Sequence, residues 1–484
     1  MPSVNKVSLR AEFDAFEERF GQLVADGKMS VESRALFEGL LTLFRVLMAV
    51  FMEKNTTRTR ANSALPPSRS PEDDTAVTRP GAHGKGKSIV HVDSANTRTV
   101  ESVAVSQVDS CDHCGENLRK VRSHRHERRT RIDVMFEKVV EHIDAEVKRC
   151  PHCQEVTCAP FPTAFAGPVQ YGTGIRAYAV HLMMAQMVAL KRVQQSIRTL
   201  IGLEIAESTL LKYVMQLHHA LARWEREAIE RLLTLPSLHV DETSLRVEMK
   251  NFWIHVCSGG STTLKFLHPK RGNEAIEAFG LIPRYLGVIV HDCWASYLSY
   301  GHCGHGLCGA HLLRELTFIV EANQYRWAQQ MKNLLKDACK TVRERDEKIL
   351  DPDERARLQR RYRSILSKGA NEMPPIPARQ DGKRGRIAKS DAHNLLERLV
   401  KHEQAVLLFA RNPDVPFTNN RAERDLRMAK VKQKVSGCFR KREYAEAYCR
   451  ISSYLQTMAN RGYNPLVAIQ MAMSGEIYSS EGGE

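Results

Sequence analysis

No stretch of the 484 residues is both long and apolar enough to span a bilayer. The most apolar run, Leu40 to Met52, is too short and contains Arg45, so no membrane partner is expected. Met1 to Arg10 lacks the apolar core of a secretory leader. Acidic residues are also in deficit: 56 Asp+Glu against 71 Lys+Arg leave a net charge of +15 and a pI near 9.3. That excess favours an anionic partner, nucleic acid before others. Cysteine is not scarce, but of the 12 only four stand in metal-ligand spacing. Reduced thiols in a cytoplasm are therefore expected instead of a disulfide framework. Hydrophobic residues at 43% are enough for true cores, and the length allows roughly three domains.

What the chain does have is concentrated in residues 235–298. This stretch opens Leu235-Pro-Ser-Leu-His-Val-Asp241 and closes Val288-Ile-Val-His-Asp292-Cys-Trp-Ala-Ser-Tyr297; each apolar run delivers an aspartate at its end. Between them, Leu245 to Ser258 and Thr262 to Leu267 are rich in β-branched and aromatic residues. Ser258-Gly-Gly-Ser261 parts them, which predicts two strands and a tight turn. A helix is expected near Asn273 to Phe279, before the strand that carries Asp292. Singly, each aspartate reads more readily as a strand-end turn or cap residue. Two carboxylates on adjacent buried strands, however, repel unless a cation lies between them, and hard oxygen ligands suit Mg²⁺ or Mn²⁺.

Upstream, residues 1–53 read as a helical hairpin or coiled coil. Leu9, Phe13, Phe16, Phe20 and Leu23 keep heptad spacing, and Leu36, Leu40, Leu43, Leu47 and Val50 repeat it after Asp26-Gly-Lys28. Such a seam serves self-association into a homo-oligomer or packs on the rest of the chain. Residues 54–100, with Pro66-Pro67, Pro71 and Pro80-Gly81, read as a disordered basic linker. Within 101–160, Cys111-Asp-His-Cys114 and Cys150-Pro-His-Cys153 predict a zinc ribbon, each C-x-x-C presenting two thiolates to one tetrahedral Zn²⁺. Arg119, Lys120, Arg122, Arg125, Arg128, Arg129 and Arg131 lie between the knuckles and mark the module as DNA-contacting.

Residues 161–232 are helical. Val193, Ile197 and Leu200 form a face that Gly202 ends, and Ser208-Thr-Leu-Leu-Lys-Tyr213 starts again. A helix-turn-helix would bring Ser208, Thr209 and Lys212 to the DNA groove; an ordinary bundle accounts for the pattern as well. Downstream, Cys303, His305, Cys308 and His311 are dense in metal-type side chains but match no common structural zinc spacing. Residues 311–411 read as a helical insertion. Then Pro416-Phe-Thr-Asn419-Asn-Arg-Ala-Glu423-Arg-Asp-Leu-Arg427 begins a helix. Glu423 fits two roles there. With Asn420 it has capping-box spacing, and with Arg427 an i,i+4 pair. Alternatively it brings a third carboxylate to the two aspartates, with Arg424, Arg427, Lys430 and Lys434 as a basic face for a phosphodiester.

Nearly the whole chain resembles the DDE transposases of the insertion sequence 66 family. The likeness rests on the N-terminal helices, the Asn62-Ser-Ala-Leu-Pro-Pro-Ser68 tether, the C-x-x-C…C-P-x-C ribbon and His239-Val-Asp-Glu-Thr243. It continues through His291-Asp-Cys-Trp-Ala295, Cys308-x-x-His311 and Asn419-Asn-Arg-Ala-Glu-Arg424. The resemblance implies a multidomain protein with an RNase H-like α/β core, a mixed sheet flanked by helices, over residues 233–310 and 412–450. A helical tail over 451–484 would follow. It implies Asp241, Asp292 and Glu423 as the acidic triad, with Glu315 as the fallback third ligand and Glu242 pointing to the other strand face. The Cys308 and His311 pair would be an accessory near the active site. Two divalent ions roughly 3.5–4 Å apart would serve an in-line displacement at phosphorus. Water would free a 3′-OH at the element end, and that hydroxyl would attack target DNA. Small companion proteins from the same element are further expected partners. A nuclease that never joins strands, a catalytically dead DNA-binding regulator and a purely structural self-assembling protein are the rivals.

Overall fold

The computed structural model describes residues 107–126, 136–165, 167–376 and 389–476, with scattered positions between 16 and 37. The chain divides into two units, Met1–Val105 and Ser106–Glu484. In the first, described positions such as 16, 19–24, 33 and 37 are helical, and the rings of Phe20 and Phe37 stand 6.0 Å apart. The rest of the expected hairpin and the linker over 54–100 lie outside the described residues.

The second unit begins with the two cysteine knuckles. A bridge between Ser110 and Asn117 closes the first, and the hairpin of β1 (Val147–Arg149) and β2 (Val156–Cys158) closes the second. Helices follow: α1 (Thr173–Val180), which runs into a π-turn at His181–Ala185, then α2 (Leu190–Ile201), α3 (Glu207–Ala220) and α4 (Ala222–Leu233). Gly202 ends α2 in the left-handed region (φ 64°), where a side chain would be strained. Val193, Ile197 and Ile205 are buried around that turn.

The central sheet contains β3 (Ser237–Val247), β4 (Lys250–Gly259), β5 (Thr262–His268), β6 (Val288–His291) and β7 (Gly304–Leu307), in the order β5-β4-β3-β6-β7. The first three strands pair antiparallel and the last two join parallel to β3. Helix α5 (Asn273–Phe279) lies in the crossover from β5 to β6. Sequence reasoning runs one strand through Leu245–Ser258, and the structure corrects this. The chain reverses at Glu248 and Met249 (φ 51° and 63°), so Leu245–Val247 belong to β3. No Gly or Asn announces this turn. Distant backbone holds it: Glu248 N–H donates to the Phe439 carbonyl (2.8 Å), and Phe439 N–H donates to that of Arg246 (2.9 Å). Asp241 therefore lies inside β3, not at its end.

Beyond β7 come α6 (Gly309–Asn323), α7 (Arg326–Glu344), α8 (Pro352–Glu372) and α9 (Asp391–Lys401). They bury their own core, centred on Trp327, Met331, Leu335, Tyr362 and Leu399. Helix α10 (Asn420–Ser436) returns to the sheet against β3 and β4, and α11 (Arg442–Asn460) and α12 (Pro465–Ser474) complete the fold. One continuous core joins α1–α4, the sheet, α10, α11 and α12. Helix α11 also covers the free edge of β5. Ser453 Oγ accepts the Lys265 N–H (2.8 Å) and Thr457 Oγ1 that of Thr263 (3.1 Å), which satisfies an edge strand without another strand. Among the described residues no helix is long and apolar enough to cross a membrane.

Candidate active site

The parallel pairing of β3 with β6 sets the site. Ser237 pairs with Val288, Leu238 with Ile289 and His239 with Val290, so each partner is 51 positions on. The same offset carries Asp241 to Asp292, two residues past the last pair. Asp292 itself follows the last residue of β6, and Asp241 feels its charge. The Asp241 carboxyl is half-buried and accepts the Glu242 N–H at 2.8 Å. Its pKa is pushed up to about 8, first by burial, then by the charges of Glu242, Asp292 and Glu423, against the pull of that hydrogen bond. Such a carboxyl is largely protonated at neutral pH, and a nearby cation would favour its ionised form.

Helix α10 carries Glu423, and the capping account of that residue does not hold. The N-cap is Asn419, with no side-chain cap bond, and Asn420 Oδ1 is buried without a partner. Glu423 faces α6 instead: its Oε1 stands 3.4 Å from the Arg314 guanidinium and 3.7 Å from His311 Nδ1. No pairing with Arg427 forms among the described residues. Glu315, the fallback ligand, is ion-paired to Arg398 at the end of α9.

Three further placements were not legible in sequence. Asn419, 1% exposed, fastens three parts of the fold at once. Its Oδ1 accepts from His239 Nδ1 (2.9 Å), its Nδ2 donates to the Val240 carbonyl (2.8 Å), and its N–H donates to Cys308 Sγ (3.1 Å). Gly309, at the start of α6, allows close approach; a Cβ there would meet the Phe417 ring at 2.2 Å. Glu242 is fully engaged by Arg271 (2.6 Å) and the Tyr297 hydroxyl (2.7 Å). Arg271 in turn stacks between Trp253 and Trp294, at 5.0 and 4.4 Å. Asn419 and its partner His239 are 180 residues apart in the chain, so no local pattern marks their contact.

Cys308 Sγ, His311 and Glu423 gather within 4.8 Å, among the described residues the one such group of three. His311 Nδ1 is buried without a hydrogen-bond partner. Burial lowers the His311 pKa, and the Arg314 charge adds to the effect. His305 is spent elsewhere, on His291 Nε2 and the Tyr300 carbonyl (3.1 Å each), and Cys303 Sγ donates to the same carbonyl. The four do not form a second zinc centre here.

Arg424, Arg427, Lys430 and Lys434 are all exposed on α10, and Lys430 Nζ reaches Ser244 Oγ at 3.3 Å. On α3, Ser208 and Lys212 are exposed and Thr209 is half-buried. In the knuckles the Cys111 and Cys150 thiols titrate low. Backbone N–H bonds are the main cause, led by His113 for the first and Cys153 for the second, as in a thiolate metal knuckle. The four sulfurs of Cys111, Cys114, Cys150 and Cys153 are not gathered within 4.8 Å of one another.

The family model described as Transposase IS66 family matches residues 168–447, more than half of the chain. No curated protein matches it.

Proposed function

The chain belongs to the IS66 transposase family, and from that premise we propose that it cuts DNA at the ends of a mobile element and joins the freed 3′-OH to target DNA. The observation that supports this reading is that Asp241 on β3 lies within electrostatic reach of Asp292, just past the end of the neighbouring parallel strand β6, and of Glu423 on α10. The strand order β5-β4-β3-β6-β7, three antiparallel then two parallel, supports an RNase H-like core with a DDE triad.

The donor set is all carboxylate, and the raised pKa of Asp241 calls for a cation, so the residues fit Mg²⁺ or Mn²⁺. Asp241, Asp292 and Glu423 would hold it. When bound it supplies charge stabilisation at the reacting phosphate and a more acidic nucleophile. The chain does the rest. Arg424, Arg427, Lys430 and Lys434 line the approach to the carboxylates and bind backbone phosphates without reading sequence. The Asn419 clasp holds α10 on β3, which fixes the helix that carries Glu423. Water attacks the phosphodiester at the element end and the 3′-oxygen leaves as a hydroxyl; that hydroxyl then displaces a 3′-oxygen in the target strand. Cys308 and His311 flank Glu423 as accessories. The spacing and low-titrating thiols of the two C-x-x-C knuckles support a structural Zn²⁺ that would draw their four sulfurs together, with Ser208, Thr209 and Lys212 a second DNA contact. A homo-oligomer joined through the N-terminal helices, with companion proteins of the element, would complete the assembly.

The test is cleavage and joining of labelled element-end DNA with Mg²⁺ or Mn²⁺. Glu423→Gln should abolish both steps and Glu315→Gln should leave them near wild type. The reverse result would move the third ligand to Glu315. Cleavage that never leads to joined product would make the protein a nuclease.

A further inference from the structure

The helical insertion presents a positive surface that the acidic site does not account for. Helices α7 and α8 enclose a groove of about 600 Å³ lined by Gln330 and Asn333 from one side and Arg360, Arg361, Ser364, Ile365 and Lys368 from the other. Three linings are cationic, three are neutral hydrogen-bonding groups, and none is acidic. Arg360, Arg361 and Lys368 are exposed, and none of them forms an ion pair or hydrogen bond among the described residues.

The carboxylates nearby are committed elsewhere. Glu372 accepts the N–H groups of Arg326 and Trp327 (2.8 and 3.0 Å) at the start of α7. Glu354 holds Arg345 (2.5 Å), and Glu403 holds Arg363 (2.9 Å). Arg363 shows the contrast: it shares α8 with the groove cations but turns away from them and is neutralised. Asp337, the only acid of α7 before Glu344, does not line the groove. From Arg361 to Lys368 the helix rises roughly 10 Å at about 1.5 Å per residue. That matches the axial rise of about three nucleotides of one DNA strand.

We propose that this groove binds the phosphodiester backbone of duplex DNA, as a sequence-independent site in the insertion, separate from the basic face of α10. The inference rests on the reading of the protein as a DNA-processing enzyme. Arginine forks and a lysine ammonium suit phosphate oxygens, and Gln330, Asn333 and Ser364 can add neutral donors to the same oxygens. The absence of a recognition pattern for bases leaves contact strength governed by charge.

The experiment measures full-length protein binding to random-sequence duplex DNA by fluorescence anisotropy across a salt series. The Arg360→Ala/Arg361→Ala/Lys368→Ala variant should bind about ten-fold or more weakly at 0.1 M salt. Its log–log salt slope should fall by roughly 2–3, as expected for three lost phosphate contacts. The charge-keeping Arg360→Lys/Arg361→Lys/Lys368→Arg variant should stay within a few-fold of wild type. Unchanged circular dichroism and thermal unfolding would show that the fold is intact, as expected for exposed positions. If wild type binds DNA and the alanine variant matches it in affinity and slope, this site is overturned while the DNA reading stands. If wild type binds no DNA, the underlying reading fails with it. Competition at the groove by an acidic polypeptide but not by duplex DNA would reassign the occupant to a protein and overturn the proposal.

Discussion

Asn419 has the most consequential side chain outside the carboxylates. It is almost wholly buried and joins β3, the start of α6 and the start of α10 through three hydrogen bonds. Truncation would strand the Val240 carbonyl and the His239 ring in a site that water does not reach. Asn419→Ala should therefore cost about 1–3 kcal/mol of stability, the usual price of a buried unsatisfied group. Cleavage should fall by more than the folded fraction does, because α10 would lose its register against β3. Chemical denaturation beside a cleavage assay on the folded fraction checks both. A loss of stability with full cleavage per folded molecule would reduce Asn419 to a packing residue. Glu242 differs in kind: next to Asp241 in sequence, it has both carboxylate oxygens engaged, one by Arg271 and the other by Tyr297.

Elements here are stabilised by partners far along the chain. The β3–β4 turn places Glu248 and Met249 in the left-handed region, which costs a side-chain-bearing residue roughly 1–2 kcal/mol. It survives because the segment at Phe439 bonds to it on both sides. Met249 is 71% exposed and packs on little, so Met249→Gly should stabilise the fold by up to about 1 kcal/mol, read as a rise in the unfolding midpoint. An unchanged or lower midpoint would mean that the exposed thioether makes a contact worth as much. The same logic explains α11, whose Ser453 and Thr457 replace a missing strand along β5. A serine and a threonine mid-helix read as weak helix formers until the strand edge beneath them is known.

At the scale of the whole molecule, buried histidines tie stability to acidity. His255 titrates at about 4, mainly through burial; His218 also falls to about 4, through burial and then the Arg450 charge beside it. Both are neutral in the fold, whereas the unfolded chain protonates them near 6.5. Their contribution is thus complete above about pH 6.5 and is lost as pH falls toward 4. Thermal unfolding followed from pH 7.5 to 4.5 should show the midpoint falling through that window, and His255→Gln should flatten the decline. A midpoint constant from pH 6.5 to 4.5 would refute the linkage. The excess of positive charge works at this scale too. Arginines and lysines collect on α10 and in the α7–α8 groove, while many others are paired.

What the sequence determined by itself was local and chemical. Short apolar runs that deliver Asp241 and Asp292 carried the strands and the carboxylates, because such a run and the aspartate that follows it are properties of a few consecutive residues. The charge excess and the C-x-x-C spacings likewise need no fold to be read. Tertiary structure alone decided which groups surround each carboxylate. The parallel register of β3 and β6 aligns residues 51 apart, and no local signal encodes an offset between strands. It also freed Glu423 from the capping role that its spacing allowed, gave Glu315 to Arg398, and closed a turn at Glu248–Met249 without a turn residue. Each of those outcomes is an energy balance between groups distant in the chain. Such a balance exists only once the packed core has brought them within a few ångströms of each other.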